Sequence, residues 1–99
     1  MSTDFETLHK TARARLDTLR RLDDSLTALR VAHTDASGAI TVTVDGGAKL
    51  LDITLTQAIS EMTSAEFERA LVETAALAAR RALAGRAALV TEFNAEMNE

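Results

Sequence analysis

The chain has 99 residues and a formal net charge of −4, with 46% apolar, 26% charged and only 3% aromatic residues, which is room for one small domain with an aliphatic, Ala-rich core. It has no cysteine, which excludes a disulfide framework, a thiol nucleophile and a cysteine-zinc centre, and no proline to force a helix to stop or kink. No stretch approaches the ~20 apolar residues of a membrane span, and the charges scattered from Asp4 to Arg20 do not have the layout of a signal peptide, so a cytoplasmic protein without membrane contact is expected.

Residues 3 to about 30 read as one helix. Phe5, Leu8, Ala12, Leu19, Leu22, Leu26 and Leu29 recur mostly at spacings of three and four. In heptads, positions 5, 12, 19 and 26 are a, and 8, 15, 22 and 29 are d. Arg15 alone violates the stripe, and Leu16 beside it partly substitutes. Ser2 or Thr3 would cap the start, with Glu6 three residues after Thr3.

The period then changes to two. Ile40, Val42 and Val44 alternate with Thr41, Thr43 and Asp45, and Leu51, Ile53 and Leu55 alternate with Asp52 and Thr54. Asp45-Gly46-Gly47 between them is a hairpin signal, because tight turns call for positive φ. A two-residue loop at Gly46-Gly47 would set Val42 opposite Leu51 and Ile40 opposite Ile53, with the apolar sets on one face. Ser37-Gly38 marks an earlier turn, so Val31–Ala36 reads as a first strand. A two-residue loop there puts His33 on the Val42 face, and a three-residue loop puts Ala32 and Thr34 there.

Residues 57–62 are a connection, with Ile59 and Met62 tucked beneath it. Thr63-Ser64-Ala65-Glu66 is a capping box that opens a second helix, from 64 to about 97. Its stripe is Phe67, Leu71, Ala75, Ala78, Ala82, Leu89, Phe93 and Met97, small along the middle. Gly85 in mid-helix costs about 1 kcal/mol against alanine and suggests a tight crossing.

The fold class is therefore α+β, in the order α-β-β-β-α, with a three-stranded antiparallel sheet and two long helices in one domain spanning 1–99. Helices of this length would run ~40–50 Å, whereas strands of six or seven residues run ~20–24 Å. The sheet is too short to cover them. The stripe ends at Phe5, Leu8, Leu89, Phe93 and Met97 must meet each other or another chain, and one sheet face and its edges also need cover. A homodimer answers all of this.

Two stretches carry a family likeness. One runs from Gly38 to Leu55 and holds Val42-Thr43-Val44-Asp45-Gly46, two small residues, Lys49-Leu50, and Asp52-Ile53-Thr54-Leu55. The other holds Ala70-Leu71-Val72-Glu73-Thr74-Ala75. Together they resemble the YbaB/EbfC family of bacterial nucleoid-associated proteins. The resemblance implies a homodimer whose sheets build a shared core from which long helices project. It also implies binding to duplex DNA in the nucleoid with little sequence preference. The family often has Gly-x-Gly at the hairpin, where this chain has Gly46-Gly47-Ala48.

The charges divide by zone. Residues 35–75 are strongly acidic, and the zones on either side are near neutral with clustered basic residues. Lys10, Arg13, Arg20 and Arg21 lie away from the apolar seam of the first helix, and Arg80, Arg81 and Arg86 lie on the second. These seven are the candidate DNA-binding residues. They would neutralise phosphates and release counterions without reading a base. The pI of about 5.1 departs from the usual basic footprint. The residues by themselves are better explained as a solvated helix face with pairs such as Arg13–Asp17, Asp17–Arg21 and Arg20–Asp24.

No catalytic set is visible. His9 and His33 lack ligand spacing, Gly46-Gly47 is followed by no Gly-Lys-Ser/Thr, and Ser2, Ser25, Ser37, Ser60 and Ser64 have no evident base beside them. No metal, cofactor or enzymatic activity is expected. The alternative to DNA is a protein partner, in an accessory or chaperone-like role such as the secretion-associated one that the resemblance also implies. The stripe Leu89, Phe93 and Met97 would be its docking face.

Overall fold

The computed structural model describes residues 2–98, and side chains from residue 4 onward. The elements are α1 (Ser2–Ala28), β1 (Arg30–Thr34), β2 (Ile40–Asp45), β3 (Leu50–Leu55), a 3-10 turn at Gln57–Glu61 and α2 (Ser64–Met97). The strands form one antiparallel sheet in the order β1-β2-β3. The molecule is a rod of 74 × 17 × 15 Å. The cap expected at Ser2 or Thr3 lies outside the described side chains.

The first turn keeps the two-residue register: His33 pairs with Val42 and Val31 with Val44. β1 ends at Thr34, not Ala36, because Asp35 folds the turn. Its Oδ1 accepts from the Ile40 N–H at 2.8 Å and its Oδ2 accepts from the Ser37 N–H, while the Gly38 N–H donates to the Asp35 carbonyl.

The second turn corrects the expected register. Val42 pairs with Ile53, not Leu51, and Ile40 with Leu55, not Ile53. The loop has three residues, Gly46-Gly47-Ala48, closed by the Asp45 N–H donating to the Lys49 carbonyl at 3.0 Å. A loop longer by one residue would flip every β3 side chain to the other face. A bulge between Thr43 and Val44 takes up a second residue and restores the parity. The positive φ of this loop falls on Ala48, at 64°, and not on its glycines. Gly46 is needed for a different reason: a Cβ there would lie 2.7 Å from the Leu26 carbonyl oxygen.

α2 opens on the expected capping box. The Thr63 hydroxyl accepts from the Glu66 N–H at 3.1 Å, and the Glu66 carboxylate accepts from the Thr63 N–H at 2.9 Å. The first half of α2 lies across β1 and β2. Ala39, Ile40, Val42 and Val44 are buried against Ala78 and Ala82, with Thr74 buried beside them. Phe67, Leu71, Ile59 and Met62 pack at the margin. The other face of β1 and β2 carries Ala32, Thr34, Thr41 and Thr43, and Thr34 and Thr41 share a hydrogen bond of 2.8 Å. It is polar and needs no cover. β3 is exposed along its whole length, and Leu50, Ile53 and Leu55, which pair with the buried residues of β2, stay exposed because α2 packs chiefly on β1 and β2.

Beyond the sheet, α2 continues along the C-terminal half of α1. Leu22, Leu89 and Phe93 line one groove between the two helices, and Arg21 pairs with Glu96 across it at 3.2 Å. The tight crossing expected at Gly85 is not found: a Cβ there would meet only the side chain of Leu29, the single residue joining α1 to β1, at an ordinary contact distance of 3.4 Å. α2 ends before α1 does, and residues 4–20 form an arm with every side chain exposed except Thr18, which borders the groove with α2 at the arm's root.

Candidate nucleic-acid interface

Lys10, Arg13, Arg20 and Arg21 fall within about 100° of arc on α1; the first three are turned from α2, and Arg21 borders the groove between the two helices. All four are exposed. The same arc carries Glu6, Asp17 and Asp24, so the positive face is interrupted. The short-range pairs expected along the helix do not form: among the described residues the one ion pair is Arg21–Glu96. Arg21 also donates to the Thr18 hydroxyl at 3.1 Å. Lys10, Arg13 and Arg20 are left with solvent-facing charge. An exposed pair such as Arg21–Glu96 contributes little to stability and yields readily to a phosphate.

The α2 residues do not cluster. Arg80, Arg81 and Arg86 are all exposed, but they point to three sides of the helix, separated by roughly 100–140°. Arg86 lines a groove with Asp23, Leu26, Arg30, Asp45 and Gly46, where α1, α2 and the β2–β3 hairpin meet. Arg30 was not singled out from the sequence. Its Nη1 donates to the Thr27 and Leu29 carbonyls, both at 2.8 Å, and so satisfies free acceptors at the end of α1. A cation just past the last turn of a helix is the signal that could have found it.

Three carboxylates are held below their usual range. The Lys49 N–H is the main cause for Asp45, with the Gly47 N–H and the Arg30 charge adding to it against partial desolvation. The Ser37 hydroxyl lowers Asp35 most, and the Ile40 N–H next. The Thr63 N–H lowers Glu66. All three fix turns or a cap, and none is poised for proton transfer. Among the described residues no group of three or more His, Asp or Glu side chains is placed to hold a metal ion, and no helix is long and apolar enough to cross a membrane. His9 is exposed on the arm and His33 half-buried in β1. The stripe Leu89, Phe93 and Met97, proposed from sequence as a docking face, is half-buried where α2 runs along α1.

A family model described as the YbaB/EbfC DNA-binding family matches residues 1–97. The chain belongs to that family. The match spans both helices and the sheet, well beyond the two stretches that carry the likeness in sequence. Among solved structures, the crystal structure of uncharacterized protein HP0035 from Helicobacter pylori is similar, with a TM-score of 0.65 and 15% identity over 89% of this chain and 94% of that one. At that identity the likeness speaks for the fold alone. No curated protein matches significantly by sequence.

Proposed function

We propose that this chain acts in the nucleoid as a homodimer that binds duplex DNA through phosphate contacts, with little sequence preference. Membership of a DNA-binding family supports the ligand. The observation that carries the site is the free arm, where Lys10, Arg13 and Arg20 project without ion-pair partners among the described residues. Arg21 joins them by exchanging Glu96 for phosphate. Arg80, Arg81 and Arg86 add contacts wherever the assembly turns one of their three directions toward the duplex. No part of the site presents a rigid fork aimed at base edges, so binding tolerates any sequence.

The uncovered apolar face of β3 supports the homodimer. Leu50, Ile53 and Leu55 are 51%, 39% and 44% exposed on a strand whose outer edge has no neighbour. A second copy would bury this face and bring two arms into one particle, doubling the phosphate contacts.

Gel retardation with a mixed-sequence duplex tests the reading. Retardation is expected at low salt, weaker at moderate salt, and lost in Arg13→Glu/Arg20→Glu. An intact dimer that fails to retard DNA even at low salt ends the proposal. Retention of binding by the double variant removes the arm as its site.

A further inference from the structure

Phosphate binding leaves one feature of the arm unexplained, its apolar stripe. Phe5, Leu8, Leu16 and Leu19 are 72%, 67%, 44% and 46% exposed. With Ala12 they fall within about 80° of arc, roughly a quarter turn from the face that packs on α2. A helix laid on the stripe would therefore run beside α1 without meeting α2. We propose that the α1 arms of two copies of this chain pair antiparallel through Phe5, Leu8, Ala12, Leu16 and Leu19, with Ala12 on the two-fold axis, as an interface separate from β3.

The spacing identifies the occupant. The stripe steps three, four, four, three, so it reads the same in both directions about Ala12. An antiparallel copy sets Phe5 against Leu19 and Leu8 against Leu16, large on large at both ends. The smallest side chain lies at the centre, where the axes come closest. A parallel copy would set each residue against itself, Phe5 on Phe5 and Leu19 on Leu19.

Charge does not select the register. On the flank that Glu6 shares with Asp17 and Arg20, antiparallel pairing about Ala12 brings Glu6 within about 3 Å, along the axis, of Arg20 in the other copy and within about 1.5 Å of its Asp17, while Arg13 meets its own copy. The apolar spacing sets the register.

The chain has no cysteine, so the register is open to direct reading. Under mild oxidation Ala12→Cys should give an interchain disulfide. Leu19→Cys alone should not, but mixed with Phe5→Cys it should cross-link. Adding Leu8→Glu and Leu16→Glu to Ala12→Cys should abolish the bond, and in the otherwise native chain the same pair should weaken self-association at least tenfold by sedimentation, with circular dichroism unchanged. The inference is overturned if Leu19→Cys pairs with itself as readily as Ala12→Cys does, if no cross-link forms at Ala12, or if the two glutamates change nothing. DNA is absent throughout, so failure here leaves the phosphate-contact reading untouched.

Discussion

The β2–β3 loop shows how single residues decide geometry that a pattern leaves open. Ala48 sits at φ 64°, where a Cβ crowds the following carbonyl at a cost of about 1–2 kcal/mol. Ala48→Gly removes that strain but adds chain entropy to the unfolded state, worth about 0.5–1 kcal/mol. The net expectation is a gain of roughly 0.5–1 kcal/mol in denaturant unfolding. Gly46→Ala should go the other way by about 1–3 kcal/mol, because the new Cβ meets a backbone oxygen that no rotamer change can clear. A finding that both variants lower stability alike would refute this account of the loop. Both positions carry small residues in the sequence and look equivalent there. Only the bulge and the approach of Leu26 separate a position that wants positive φ from one that wants no side chain.

Asp35, Asp45 and Glu66 act at the same scale and are sensitive to acid. Each has its folded pKa below the usual value, 3.8 for the aspartates and 4.5 for the glutamate, because N–H or O–H donors favour its charged form. A depressed folded pKa contributes stability that is complete above the unfolded value and is lost as pH falls through the folded one. Urea midpoints should therefore hold steady at neutral pH and drop as pH falls below about 4. Asp45→Asn should flatten part of that drop. An equal slope in wild type and variant would exclude Asp45 as a contributor.

At the scale of elements, hydrophobic period and cap chemistry made much of the fold legible. The Thr63–Glu66 box starts α2 where the sequence places it, and Thr63→Ala should cost about 1 kcal/mol in thermal or denaturant unfolding. The stripe from Phe67 to Met97 is the buried one, with Thr74 added because the Ala-rich middle lies close enough to β2 to enclose it. What could not be read is which partner each stripe meets. Leu89 and Phe93 carry the same signal as Phe5 and Leu8, yet the first pair is covered by the chain itself and the second is not. That difference depends on where α2 ends relative to α1. β3 has the same ambiguity: its alternation promises a buried face, but α2 packs chiefly on β1 and β2. If a second copy covers that face, Ile53→Asp should bury an unpaired charge and weaken the dimer by at least ~100-fold. Light scattering should then report single chains at concentrations where the native protein is dimeric. A mass that is the same for both proteins would place the interface elsewhere.

At the scale of the whole molecule, an acidic protein proposed to bind a polyanion must separate its charges in space. The rod does so in part. Residues 35–75, with two basic side chains against seven acidic ones, form the sheet end, while Lys10, Arg13 and Arg20 lie on the arm at the other. Contact and field are then distinguishable by salt. Each phosphate neutralised contributes about 0.9 to the slope of log K against log salt, and distant charges alter affinity with little effect on that slope. In a dimer, Arg13→Gln/Arg20→Gln removes four contacts and should reduce the slope by about 3–4. Glu61→Gln/Glu68→Gln/Glu73→Gln, at the sheet end, should raise affinity at low salt and leave the slope where it was. Fluorescence anisotropy on a short labelled duplex between about 50 and 200 mM salt measures both, over the range where six or more contacts lose at least ~10³ in affinity. If the glutamine changes at the sheet end shift the slope and those on the arm do not, the duplex lies across the sheet and the arms serve another purpose.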